Sequence, residues 1–326
     1  MSDSPMHGVR RTRKAVLLAG LLGLGLGLPG GAVLTKWASR PQFEPIRAAD
    51  PRSTGTLILC GGVTAPAVER RLVELAGGPK ARIVVIPTAM TFEGSPDEAS
   101  LTKPFRDLGA GSVRVLHTLS REEADDPGFS ATIRQATGVW MTGGSQARLS
   151  RAYRGTRVEA ELHALFGRGG VIGGSSAGAA VMSDIMIEGG RDEKDVAVGR
   201  GFDLLPESVV DMHFLERGRI QRLLKVLERN PGRYGLGIDA ATALEYHAGT
   251  FRVLGRSYVM TLFPGPRGFR LDVLVPDEVV TLAEMKDDAH RSSLHALPSA
   301  VESEAEAEME AGADRPEAEV SGAGAR

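Results

Sequence analysis

Residues 171–184 read VIGGSSAGAAVMSD, and the order of residue types in that stretch decides the fold. The short apolar run Gly170–Gly173 is expected to form a buried strand, and Ala177–Asp184 to begin a helix. Between them Gly174-Ser175-Ser176-Ala177-Gly178 fits the pattern G-x-S-x-G. In a nucleophile elbow, small residues let a strand turn sharply into a helix, which leaves the serine hydroxyl bare. Free N–H groups at the start of the helix favour negative charge developing beside it. Ser176 is therefore the candidate nucleophile.

Working outward, Thr56–Cys60 (TLILC), Ala81–Pro87 (ARIVVIP), Ser112–Leu116 (SVRVL) and Gly138–Thr142 (GVWMT) read as strands. Helical spacing of apolar residues runs over Ala67–Ala76, Gln146–Tyr153 and Arg157–Phe166. Short apolar runs alternating with helices predict an α/β three-layer sandwich with a mostly parallel central sheet. Gly61-Gly62 and Gly143-Gly144 follow two of these strands, at the carboxyl edge where such sheets bind ligands. Further on, Ser208–Phe214 and Tyr234–Asp239 read as strands flanking an amphipathic helix, Arg217–Arg229. Ala243–His247, Phe251–Leu254 and Tyr258–Phe263 follow closely, which predicts an antiparallel extension of the same sheet in the C-terminal half.

A serine hydroxyl needs a base. Of the seven histidines, His213 closes the apolar run SVVDMH, where a sheet of this type presents catalytic groups, and it is the candidate general base. His247 is the second choice. Asp192 and Glu193, in a polar loop between nucleophile and base, are the candidates for the acid that orients the imidazole. The oxyanion hole is expected to combine the Ala177 N–H with Gly143 or Gly144, because glycine lets the backbone approach a substrate closely. Gln146 would place an amide in the pocket. Arg219 and Arg222 share a helical face next to Arg217, and forked guanidinium groups suit an acidic substrate.

The 326 residues carry 42% hydrophobic and 25% charged side chains, ordinary values for a packed globular protein. A net charge of -2 gives no reason to expect nucleic acid. The single cysteine, Cys60, rules out an intramolecular disulfide and a zinc site of several thiolates. Arg10, Arg11, Arg13 and Lys14 precede an apolar run from Ala15 to about Val33, the charged and apolar regions of an export signal. Residues 1–34 are thus expected to direct export to the periplasm or beyond, or to remain as a membrane anchor if uncleaved. Residues 35–52 read as a linker, 53–290 as the working domain, and 291–326 as a disordered acidic tail.

MTGGSQARL, GGSSAGAAVMSD, DMHFLERGRIQRLL and YGLGIDAATAL, in that order, resemble the cyanophycinase family, relatives of the dipeptidase E serine peptidases. The resemblance covers about residues 56–263. It implies a fold like the class I glutamine amidotransferases (flavodoxin-like), no metal or other cofactor, and a peptide or isopeptide substrate such as cyanophycin; the sequence leaves the oligomeric state open, with a homodimer as one option. It also implies a Ser176 nucleophile, a His213 base, and a substrate pocket formed by Gln146, Asp211, Arg217, Arg219 and Arg222. The sequence departs from the family pattern at Ser145 (commonly Asp), Met212 (commonly Gln) and Ala240 (commonly acidic). Two alternatives stay open: a non-catalytic ligand-binding homologue, and a small-molecule esterase or amidase.

Overall fold

The computed structural model describes residues 55–62, 66–190, 194–265 and 268–287. The expected export segment, linker and acidic tail lie outside them, as do Asp192 and Glu193. The first half alternates strand and helix: β1 (Thr56–Cys60), α1 (Pro66–Leu75), β2 (Arg82–Ile86), α2 (Glu98–Asp107), β3 (Ser112–Val115), α3 (Arg121–Ala124), α4 (Pro127–Arg134), β4 (Gly138–Met141), α5 (Gln146–Tyr153), α6 (Arg157–Gly167), β5 (Val171–Ser175) and α7 (Ala177–Ala180). The second half is rich in strands: β6 (Ser183–Gly189), β7 (Ala197–Arg200), β8 (Leu205–Met212), α8 (Ile220–Arg229), β9 (Tyr234–Ile238), β10 (Thr242–His247), β11 (Thr250–Gly255), β12 (Val259–Gly265), β13 (Gly268–Leu274), β14 (Val279–Thr281) and α9 (Leu282–Lys286).

One sheet runs β14-β11-β10-β1-β5-β4-β2-β3. Its β1, β5, β4, β2 and β3 are parallel, and β10, β11 and β14 add to it antiparallel. Strands β1 and β4 are buried at every residue, as expected for parallel strands covered on both faces. The α/β class and the antiparallel extension are as the sequence predicts. Strands β8, β9 and β12, however, do not join that extension. They form a second sheet, β13-β12-β9-β8-β6-β7. The short helix α7 is buried along its length and touches strands of both sheets, so the core is continuous across them.

The expected helix Ala177–Asp184 is a single turn, and Ser183 opens β6 instead. Hydrogen bonds explain the change. The carbonyls of Val181, Met182 and Ser183, which a longer helix would use, accept from Phe202, Leu205 and Asp203 at 2.6, 3.0 and 3.1 Å. The Ser183 hydroxyl, fully buried, bonds the carbonyls of Ala180 and Ile185 and closes the turn. Tertiary pairing overrides a local helical preference here.

α1 is fixed to the sheet by a buried ion pair. Arg71 Nε and Nη2 donate to Glu245 Oε2 and Oε1 on β10 at 2.7 and 2.9 Å, with side chains 4% and 1% exposed. Such a pair resists loss of one partner far more than replacement of both. Glu245→Ala is expected to lower stability to urea by about 3–5 kcal/mol, while Arg71→Met with Glu245→Leu stays near wild type. A single variant within about 1 kcal/mol of wild type would contradict this.

Candidate active site

Three consecutive residues at the end of β1 organise the site. The Cys60 carbonyl accepts the Ser176 N–H at 2.8 Å, and the Gly61 carbonyl accepts the His213 N–H at 2.7 Å. Gly62 lies against the His213 ring: a Cβ there would stand 2.7 Å from Cε1 and 2.9 Å from Nδ1. One strand end therefore holds the backbones of Ser176 and His213 and lies against the imidazole at Nδ1 and Cε1.

Ser176 has φ 49° and ψ -105°, an unusual conformation for a residue with a side chain. Such strain costs on the order of 1–3 kcal/mol and persists only where the surroundings enforce it. The enforcement is steric. A Cβ on Gly178 would stand 2.2 Å from the Met141 carbonyl oxygen, and one on Gly174 would stand 2.5 Å from the Gly178 carbonyl carbon. The two glycines let β5 turn directly beneath β4, and the half-buried Ser176 sits at the bend. Because α7 is one turn long, the electrostatics at the bend come from local N–H groups rather than from an extended helix dipole.

Gly143 faces the serine: a Cβ on it would lie 3.6 Å from the Ser176 Cβ. Gly144, at φ 134°, instead packs on the loop after β2, and Ser145 donates to the Ala89 carbonyl at 2.9 Å. Of the two glycines expected near an oxyanion, Gly143 is beside Ser176, with the buried Ala177 following the serine directly.

His213 also has a positive φ, 51°, which takes it off the end of β8 rather than along it. Its Nδ1 is 2.9 Å from Oε2 of Glu216, a partner the sequence analysis did not single out. The sequence signal for it is the His-x-x-Glu spacing in HFLE, just ahead of the helix expected at Arg217–Arg229. His247 is at the wrong end of β1. Its Nδ1 contacts the Thr56 hydroxyl and the Gly55 carbonyl, and it pairs across from Thr56 rather than Cys60.

The expected substrate residues divide. Asp211 is fully buried and takes Arg222 on both oxygens, through Nε at 2.7 Å and through Nη2. Arg222, 4% exposed, also donates to the Gly190 carbonyl. Arg219 donates to the Met212 carbonyl and lies 3.4 Å from Asp211. Arg219 and Arg222 do share a face, as the spacing predicts, but it is turned inward onto Asp211. Asp211 and Arg222 thus pair with each other and brace the end of β8. Gln146 likewise spends its amide N–H on the Ile187 carbonyl at 2.5 Å. Arg217 remains exposed beside His213. Met212, which differs from the family pattern, is a buried core residue.

Asp239, just past β9, fixes the turn after His213. Its Oδ1 accepts the N–H groups of Leu215 and Glu216 at 3.1 and 3.0 Å, and its Oδ2 accepts the Ser257 hydroxyl at 2.8 Å. Burial works upward on this carboxyl, but the hydrogen bonds from Glu216, Ser257, Ala240 and Leu215 hold it below the usual carboxylate range. Cys60, beneath the bend, is driven the other way. Burial pushes its thiol up to about 11, which leaves it protonated and unreactive at neutral pH.

The chain is similar to known proteins over most of the described residues. The sequence profile of peptidase family S51 matches residues 57–254. The cyanophycinase of Synechococcus elongatus is 34% identical over 241 residues, 68% of this chain and 73% of that protein. A cyanophycinase of Nostoc sp. is 34% identical over 238 residues, 68% of this chain and 78% of that one. Among solved structures, a peptidase from an acI-B1 Actinobacterium has the same fold, with a TM-score of 0.58 and 24% identity, over 71% of this chain and 98% of that chain.

A group whose folded pKa is depressed stabilises the fold above its unfolded value, and that stability drains away as pH falls through the folded value. Acid titration below about pH 4 is therefore expected to destabilise the wild type more than Asp239→Asn, whose site no longer titrates. Parallel losses of melting temperature in the two proteins would contradict the role given to Asp239.

Proposed function

The chain belongs to peptidase family S51 and is a serine-type peptidase, and from that premise we propose that it is an exported hydrolase of β-aspartyl-arginine-type or other acidic peptide bonds. Ser176 is the nucleophile and His213 the general base in this reading. The single observation that carries it is the pairing of Ser176 and His213 with adjacent carbonyls at the end of β1. The strained φ of Ser176, in a G-x-S-x-G bend, supports the nucleophile's assignment.

The Ser176 hydroxyl attacks the scissile carbonyl while its proton passes to the imidazole of His213. The oxygen of the tetrahedral intermediate takes hydrogen bonds from the N–H of Ala177 and from Gly143 across the cleft. Collapse breaks the C–N bond, and His213 returns the proton to the leaving amine. Water, activated by the same imidazole, then hydrolyses the acyl-serine and restores the hydroxyl. Arg217, exposed beside His213, suits a carboxylate carried by the substrate. The cyanophycinases to which the chain is similar, and the four motifs it shares with that family, make cyanophycin the first substrate to test.

Ser176→Ala is expected to lower release of β-Asp-Arg from cyanophycin by roughly 10⁴-fold or more, with an unchanged melting temperature. Hydrolysis at the wild-type rate in that variant would overturn the assignment, and hydrolysis of simple esters alone would favour an esterase. Export is supported by the basic and apolar regions of residues 10–33. Cell fractionation is expected to find the protein outside the cytoplasm, and intact-mass analysis to show residues up to the neighbourhood of Ala32–Ala38 removed. A full-length protein confined to the cytoplasm would contradict export.

A further inference from the structure

We infer that Glu216 is the carboxylate that positions the His213 imidazole, so that base and orienting acid come from one turn, three residues apart. The inference rests on the reading of His213 as the base. The 2.9 Å separation of Nδ1 and Oε2 is a hydrogen bond. A neutral histidine that takes a proton at Nε2 must carry its own on Nδ1, and a carboxylate at Nδ1 selects that tautomer and ring orientation. The same carboxylate stabilises the imidazolium formed when Ser176 gives up its proton.

An exposed ion pair on a free side chain would contribute little. The Glu216 side chain is 55% exposed, so its value depends on how the backbone is held. That backbone is clamped from three sides. His213 enters the turn at φ 51° with its N–H on Gly61, and the N–H of Arg217 returns to the His213 carbonyl at 3.1 Å. The N–H groups of Leu215 and Glu216 both end on Asp239, which Ser257 holds in turn. The clamp therefore fixes the backbones of Glu216 and His213 relative to each other.

At the position after Asp239 this chain has Ala240. The Cα of Ala240 lies 3.3 Å from where a Gly62 methyl would stand, on the same glycine that the imidazole covers. Its side chain is a methyl. Glu216 thus supplies at Nδ1 a carboxylate that Ala240 does not.

The test uses the full chain and a fluorophosphonate probe, alongside kcat and KM on cyanophycin. Removing the acid of a serine triad costs up to about 10⁴-fold, and solvent exposure should reduce that here to about 10- to 100-fold. Glu216→Ala is expected to lower the labelling rate and kcat by that amount, with KM within about twofold and no change in melting temperature. Glu216→Gln, which still accepts from Nδ1 but carries no charge, should fall between Ala and wild type. Labelling of Ser176 at the wild-type rate in both variants would show an ordinary surface pair and overturn the inference. No labelling of the wild type would instead remove the Ser176 reading, and this inference with it.

Discussion

The last residue of β1 and the two glycines after it carry a constraint on which the rest of the site depends. Cys60 and Gly61 each turn a carbonyl towards a residue in a strained conformation, and Gly62 leaves space for a ring. Ser176 and His213 both have positive φ without being glycine, a strain of on the order of 1–3 kcal/mol each. A surface strand would give way under such strain. β1 is buried at every residue and paired with β5 on one side and β10 on the other, so it does not.

The arrangement also explains why the fold has two sheets. Ser176 follows β5 of the first sheet, and His213 follows β8 of the second. Gly61 is one close contact between them: a Cβ there would stand 2.3 Å from the carbonyl oxygens of both Ile238 and Asp239, at the end of β9. Close approach of two backbones lets the strand ends converge, and glycine is the residue that permits it. The proposed nucleophile and base thus follow strands of different sheets, and both are hydrogen-bonded to the end of one strand, β1. The buried Asp211–Arg222 pair stiffens the β8 side of that junction.

The parallel strands of the first half are legible in the sequence because each is a short apolar run, and helical spacing marks α1, α5 and α6 but not α2, α3 and α4 between β2 and β4. The helix Gln146–Tyr153 has the bounds its spacing predicts. The bend at Ser176 is legible for a similar reason: the glycines that permit it are local. What could not be read depended on partners distant in the chain. Nothing in SVVDMHF or YGLGID says which sheet will accept it. Nor does AAVMSD contain a breaker, because the hydrogen bonds that end its helix come from residues 202–205. The spacing of Arg219 and Arg222 predicts their shared face, but the fully buried Asp211 that they turn towards is invisible to spacing alone.

The most direct test of the account is a crystal structure of the protein after reaction with a fluorophosphonate. The account predicts phosphorus bonded to Ser176 Oγ and a phosphoryl oxygen within hydrogen-bonding distance of the Ala177 N–H. It also places the His213 imidazole against the adduct, with the Ser176 and His213 N–H groups still on the carbonyls of Cys60 and Gly61. Phosphorus on a different side chain, or a His213 ring turned away from a modified Ser176, would contradict it.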